Sequence, residues 1–289
     1  MGEIKDFHCT YDDSVGIDKG LMEKLGLKIP DVYMYRDMMV SLSRALKKKN
    51  GAPFCELPFC HTVEAEAMGG IIKYGDEKAG PRAKEYICTS VEQILDLPEI
   101  DFSKGRVYEV LLACQELKSQ GEHVVLDVSG PFTILNVLID IKYVVKAMRK
   151  QPEVMKRVFW KLGGEVLKFI EESGKYGVDI ISYADSSGSV NILGPKMSKQ
   201  VVEDFTYDFL KEVEKAVEGN QLVLLCPKTT FALLGTERAV FEDQKLPAPI
   251  NYGEACTKMI GKVTFAGQMC IKEAMHPLRD GMFKAVVLQ

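Results

Sequence analysis

The chain has no CxxC pair, no GxGxxG or GxxxxGK[ST] glycine loop, and no GxSxG elbow. Nothing in it forms a recognised phosphate cradle or a strained serine turn, so dinucleotide, P-loop and nucleophile-elbow chemistry lack motif support. It also lacks a basic excess. Its formal net charge is −4, and no broad positive field invites nucleic acid. The run Lys47, Lys48, Lys49 reads as a solvated helix end. The opening MGEIKDFHC has no apolar signal core, and no apolar run reaches spanning length, so no membrane partner is expected and the cytoplasm is the expected compartment. There the eight cysteines stay reduced, most as small core residues and one or two as ligands or nucleophiles. His8 beside Cys9 reads as chance adjacency in a weakly patterned arm.

What is present centres on LPFCHTVEAEAMGGIIKYGDE, residues 57–77. A short apolar run ends near Phe59. The period then changes: Val63, Ala67 and Met68 fall at helical spacing, with Glu64 and Glu66 between them. Gly69 and Gly70 stop the helix before a Tyr-Gly-Asp turn. A strand end therefore brings Cys60, His61 and two carboxylates to one place.

The rest alternates between the two periods. Residues 1–30 read as an N-terminal arm with a short helix near Lys19–Leu25. The spacing of Tyr33, Met38, Met39, Leu42 and Leu46 predicts an amphipathic helix over Asp31–Lys48. Strands are expected at Ala52–Phe59, His123–Val128, Val178–Asp185, Gln221–Cys226, Lys262–Ala266 and the closing FKAVVL. Helices are expected over Lys104–Gln120, Pro131–Lys150, Pro152–Ser173 and Ser198–Glu218, and Ser90 caps VEQIL. Strand-then-helix order at this length predicts an α/β protein with a parallel sheet, a (β/α)8 TIM-type barrel, incomplete or with an atypical N-terminal arm. No linker divides residues 31–289, which read as one barrel domain.

In such barrels the chemistry stands at the carboxyl ends of strands. That places Cys60 and His61, Asp127 and Ser129, Tyr183, Asp185 and Ser186, Cys226 and Lys228, and Gln268 and Cys270 at one mouth. Each has a structural alternative. Glu64 and Glu66 face a helix N-terminus and serve there as caps or as site groups. Asp127 in DVSGP and Asp185 in ADSSGS make Asx turns or line the site, and the crowding of Tyr183 and three serines favours a site role for Asp185. His61 is a satisfied histidine or a functional one, and Cys226 and Cys270 are core thiols or ligands. With a histidine or glutamate, those two thiols would meet zinc's demand for soft, converging donors.

The stretch at 57–77 resembles the uroporphyrinogen decarboxylase superfamily, most closely its methylcobamide:coenzyme M methyltransferase branch. DVSGPFTI (Asp127–Ile134) and ISYADSSGSVNILGP (Ile181–Pro195) continue the resemblance, which runs from about Tyr33 to Cys226. VEAEA followed by YGDE is the specific part, whereas GPFT is shared across the superfamily. The resemblance implies a (β/α)8 barrel. It also implies methyl transfer between a methylcobamide, held on a corrinoid protein partner, and a small acceptor. In that branch a zinc ion held by His-x-Cys and a later Cys activates a thiol, because zinc lowers the thiol pKa. Here the corresponding tripeptide is Leu224-Leu225-Cys226, so the histidine is absent and the zinc site is altered or lost, with Cys270 the available second thiol. The decarboxylase branch's arginine-rich N-terminal signature is also absent.

The expectation is therefore a corrinoid-dependent methyltransferase. Glu64, Asp127, Tyr183 and Asp185 are its candidate catalytic groups, and Cys60, His61, Ser129, Ser186 and Gln268 its candidate substrate contacts. Two alternatives stand beside it: a non-catalytic barrel that binds a corrinoid or tetrapyrrole or docks on a corrinoid protein, and a porphyrinogen decarboxylase, which would need arginines at the mouth.

Overall fold

In the computed structural model, residues 4, 5, 7, 9, 16–76, 78–217 and 219–289 are described. Most of the arm before Gly16, including His8, lies outside them, as does Glu77 at the end of the YGDE turn. Seven strands form the main sheet: β1 (Phe54–Leu57), β2 (His123–Ser129), β3 (Ile180–Ala184), β4 (Leu222–Leu225), β5 (Ala239–Lys245), β6 (Phe265–Ala266) and β7 (Met282–Leu288). Their spatial order is β1-β2-β3-β4-β6-β7-β5. The first five in that order are parallel, with Phe54 opposite His123, Val125 opposite Ile180, Ile180 opposite Leu222 and Val223 opposite Phe265.

The expected parallel α/β sheet is therefore present, and the expected strands fall within a residue or two of their places at β1, β2, β3 and β4. The far edge departs from a regular barrel. FKAVVL forms β7, but it runs antiparallel to both β6 and β5. Among the described residues, β5 and β1 are the two ends of the ladder and do not pair with each other. AVFEDQK was not expected to be a strand: apart from Ala239 its residues are half-buried or exposed, as suits an edge strand whose outer side has no apolar layer to meet.

Two cores follow from the period-two alternation of the strands. Cys55, Leu57, Val124, Leu126, Val128, Ile181, Val223 and Leu225 join the larger core, which also contains the helices Arg36–Asn50, Gly105–Ser119, Pro131–Leu138, Pro152–Lys175 and Tyr207–Val217. Their alternates Phe54, Val125, Ile180, Leu222 and Leu224 join a smaller core with Tyr252, Ala255, Cys256 and Met259 of the helix Tyr252–Met259. That helix, like Pro227–Gly235, carries too little apolar periodicity to stand out in the sequence.

Two expected helices are broken and a third starts early, each for a local reason. Asp31–Lys48 divides at Tyr35, whose backbone is extended (φ −118°, ψ 134°). Pro131–Lys150 divides at Ile139 and restarts where the Asp140 side chain accepts the Lys142 N–H at 3.0 Å, an N-cap. The helix expected from Ser198 already runs from Val190, bent at Gly194 (φ 75°) and Pro195. Lys19–Leu25 forms as expected, with Asp18 as its cap. Among the described residues no helix is long and apolar enough to cross a membrane.

Candidate functional site

Phe54 and Glu56 lie on one face of β1, and Val125 and Asp127 on the same face of β2. The apolar members of this face fill the smaller core, and the polar members Glu56, Asp127 and Ser182 form the next layer towards the strand ends. Lys272, from the turn Ile271–Glu273, reaches into that layer. Its ammonium pairs with Glu56 and lies 3.4 Å from Asp127 Oδ2.

This layer divides two adjoining cavities. The larger, about 350 Å³, is lined by Glu56, Cys60, His61, Asp127 and Lys272 among apolar walls that include Phe54, Phe59 and Ile271. The smaller, about 150 Å³, shares His61, Asp127 and Lys272 and adds Tyr183, Ser186, Cys226, Lys228, Cys270 and Cys9. Segments near residues 60, 127, 185, 226 and 270 thus meet at one end of the parallel strands.

The charges of the layer are mutually dependent. Burial pushes the Asp127 carboxyl up, but the Lys272 ammonium, the hydrogen bond shared with Glu56, His61 and Ser182 outweigh it and hold Asp127 below the usual carboxylate value. Glu56 moves the other way. Burial and then the Asp127 charge raise it well above the usual value, against the pull of Lys272. The two carboxyls titrate as a pair, with Asp127 ionising first and Glu56 holding its proton longer, beside the Lys272 ammonium.

Other expected site residues stand elsewhere. Glu64 is buried behind the mouth, where it accepts the Ser129 N–H at 2.7 Å and the Ser129 O–H at 3.0 Å. It ties the helix Val63–Ala67 to the end of β2, and neither Glu64 nor Ser129 lines either of these two cavities. Cys60 sits against Arg106, whose Nη1 donates to the sulfur at 3.2 Å. Arg106 Nη2 donates to Thr62 Oγ1 at 2.7 Å, and its Nε pairs with Glu66. The Tyr74 hydroxyl also donates to Glu66, and its ring lies 5.3 Å from the Arg106 guanidinium. Gln268 is the displaced residue: its side chain accepts the Lys284 N–H on β7 and faces a surface hollow with Asp243 and His276. The short strand β6 ends two residues earlier, and the chain has already turned out of the mouth there.

Tyr183 is buried, with its ring 5.7 Å from that of Phe209. Burial, and then the charges of Asp185 and Cys226, drive its hydroxyl well above the ordinary tyrosine value, so it remains a neutral donor. Asp185 occupies a cleft of about 30 Å³ beside Tyr183, Ser189 and Ser198 and accepts the Thr133 N–H at 2.9 Å. A Cβ at Gly130 would lie 2.4 Å from the Asp185 side chain and 2.7 Å from the Tyr183 hydroxyl, so only glycine lets β2 turn here without displacing both.

Burial pushes the Asp185 carboxyl up to about 7, against the Thr133 hydrogen bonds. A raised carboxyl binds its proton more tightly folded than unfolded, so stability falls as pH climbs from the ordinary aspartate value to about 7 and is level above that. In Asp185→Asn the amide oxygen still accepts from Thr133 but does not titrate. The loss of stability between about pH 5 and pH 8 is expected to shrink by about 2 kcal/mol relative to wild type, read from urea melts at the two pH values. An unchanged difference would show that Asp185 is solvated in the folded state.

The sequence reading did not single out Glu56, Lys272, Arg106 or Tyr74. Glu56 left one trace, a carboxylate inside the apolar run FCELPF, where unpaired acids are rarely buried. Lys272, in IKEA, looks like any surface lysine.

The two candidate metal thiols do meet in the smaller cavity. Burial raises the Cys226 thiol to about 11 and the Cys270 thiol to about 12, which keeps both protonated. Leu224, where the zinc-binding pattern has histidine, is buried in the smaller core. Among the described residues no group of three or more His, Cys, Asp or Glu is arranged to hold a metal ion. As arranged, these donors do not fit zinc, and no chemical step is derived through it.

A family model described as uroporphyrinogen decarboxylase (URO-D) matches residues 17–238. A protein of Methanosarcina barkeri (strain Fusaro) described as methylcobamide:CoM methyltransferase MtaA is 24% identical over 247 residues, covering 83% of this chain and 71% of the relative. Methylcobamide:CoM methyltransferase MtbA of Methanosarcina acetivorans is 22% identical over 218 residues, covering 73% of this chain and 63% of the relative. A solved structure described as a methyltransferase from Methanosarcina mazei superposes with a TM-score of 0.62 at 21% identity, covering 74% of this chain and 63% of that one. At that identity the likeness is one of fold.

Proposed function

The chain belongs to the uroporphyrinogen decarboxylase (URO-D) family, and from that membership we propose that it is a corrinoid-dependent methyltransferase acting on a small acceptor at the mouth of its parallel strands. The observation that carries the reading is the convergence of His61, Asp127, Tyr183, Ser186, Cys226, Lys228 and Cys270 on one cavity, in a chain whose curated relatives are methylcobamide:CoM methyltransferases. A methylated corrinoid carried by a partner protein would supply the methyl group. The chain's own residues would bind the acceptor and manage its proton. Asp127 is held ionised by Lys272 and is placed to take a proton from an acceptor in either cavity, while Lys272 steadies the charge left behind. This activation is assigned to Asp127 and Lys272 with no step through a metal, and the acceptor need not be coenzyme M.

The non-catalytic reading, a barrel that binds a corrinoid without demethylating it, is favoured by the same altered donor set. Porphyrinogen decarboxylation is disfavoured: no arginine lines either cavity, and Arg106 is committed to Glu66 and Cys60.

Mixing the protein with methylcobalamin and a panel of thiol, hydroxyl and amine acceptors, under reducing anaerobic conditions, separates these readings. Demethylation to the reduced corrinoid is expected, with Asp127→Asn slower by about 100-fold or more. A shifted corrinoid spectrum with no methyl loss for any acceptor would favour the binding protein and end the enzyme reading.

A further inference from the structure

The larger cavity has properties that methyl transfer does not require. At about 350 Å³ it is of a size that encloses a small organic molecule. Phe54, Phe59, Leu46, Ile271 and Met275 give it apolar walls, and Ser43, Asn50 and His61 add polar atoms to the lining. Its charged groups away from the rim, Glu56, Asp127 and Lys272, meet at one place. At the rim the charges are already matched, Lys47 with Glu122 and Lys49 with Asp18 at 3.5 Å.

Charge balance selects the ligand. An anionic head would lie against the Asp127 carboxylate and Glu56, and a cationic head against the Lys272 ammonium. Either would lose its hydration without a free counter-charge. A neutral hydroxyl meets the layer as it stands, donating its proton to the Asp127 carboxylate and accepting from the Lys272 ammonium through one oxygen. A thiol does both far more weakly. We propose that this cavity is a binding site for a neutral alcohol with an apolar body, its hydroxyl seated between Asp127 and Lys272 beside Glu56.

The inference stands whether or not the chain transfers methyl groups, and its test uses no corrinoid. Benzyl alcohol serves as the probe, with toluene, benzoate and benzylamine as matched competitors, each titrated into the full chain at neutral pH and followed by ligand-observed NMR and calorimetry. Benzyl alcohol is expected to bind at least tenfold tighter than each of the three. Asp127→Asn and Glu56→Gln are each expected to weaken it at least fivefold, with circular dichroism confirming the fold. Leu46→Trp, which fills the cavity from its apolar wall and leaves the polar layer in place, is expected to abolish binding and serves if either polar variant fails to fold. The proposal is overturned if the alcohol does not bind, if toluene binds equally, if benzoate or benzylamine binds more tightly, or if folded variants bind as well as wild type.

Discussion

Lys272→Met is expected to destabilise the protein by about 2–4 kcal/mol at pH 8 and by much less near pH 5. Lys272 is the cation that faces both Glu56 and Asp127, and methionine keeps much of its length and all of its apolar stem. The pH dependence follows from the carboxyls. In the wild type, Lys272 helps hold Asp127 below its ordinary value, so that pairing contributes stability once pH exceeds the unfolded aspartate value. It is lost only as pH falls through the depressed folded value. Glu56 is raised even with Lys272 present. Without the ammonium Glu56 rises further and Asp127 loses the largest influence that lowers it, so the layer holds its protons more tightly than in the wild type and the penalty grows as pH rises through the acid and neutral range. Near pH 5 the layer stays largely protonated and the variant loses mainly the Lys272 hydrogen bonds. Urea melts at the two pH values measure the difference. A penalty that is the same at both would show that water, rather than Lys272, compensates the pair.

The second large effect concerns Arg106, which no functional reading of the sequence singled out. Its side chain is 4% exposed, and it joins the helix Gly105–Ser119 to the segment that follows β1. One group satisfies the Cys60 sulfur, Thr62, Glu66 and the Tyr74 ring. Arg106→Met leaves Glu66 as a largely desolvated charge and the Thr62 hydroxyl short of a donor, and is expected to cost about 3–5 kcal/mol. For a chain of this size that corresponds to a fall in Tm of about 5–8 °C. The double variant Arg106→Met/Glu66→Gln should regain part of the loss, because the stranded charge is gone, and with Glu66→Gln alone as the fourth corner the cycle gives the coupling between the two groups. Single and double variants of equal stability would mean that Glu66 already finds water in the folded state. The same variant tests Cys60. If Arg106 organises the sulfur, alkylation of Cys60 should change in rate in Arg106→Met under conditions where the variant is still folded.

The parts of this protein legible in its sequence are those governed by local repetition. VVLDVS, IISYA and LVLL are apolar on both sides of the strand, which marks central parallel strands whose two faces are covered, and all three lie side by side in the sheet. VEAEAMGG carries its own start and stop, and its helix forms where expected, over Val63–Ala67. The gathering of residues 60, 127, 226 and 270 at one end also followed from strand order, because parallel strands joined by helices place all their carboxyl ends on the same side. Gln268 breaks that rule for a local reason: β6 is two residues long, and the chain leaves the sheet before Gln268 can face inwards.

What the linear pattern could not convey was which way a polar side chain points once it reaches the mouth, and what it meets there. Glu64 and Asp127 look alike as carboxylates at element ends, yet one is spent on the Ser129 hydroxyl and amide and the other lines both cavities. Glu56 and Lys272 are 216 residues apart, and no short-range signal links them. Spacing and composition alone determined the parallel α/β core and the strand ends that share one side, because backbone hydrogen bonding and apolar burial repeat every two or three to four residues; the family resemblance was carried instead by particular motifs, VEAEA, YGDE and YADSSGS. Only the tertiary structure decided that the acidic layer is balanced by Lys272, that the thiols meet without a metal-binding set around them among the described residues, and that the far edge of the sheet turns antiparallel. Those outcomes depend on electrostatic and packing contacts between segments far apart in the chain, whose energies have no period to read.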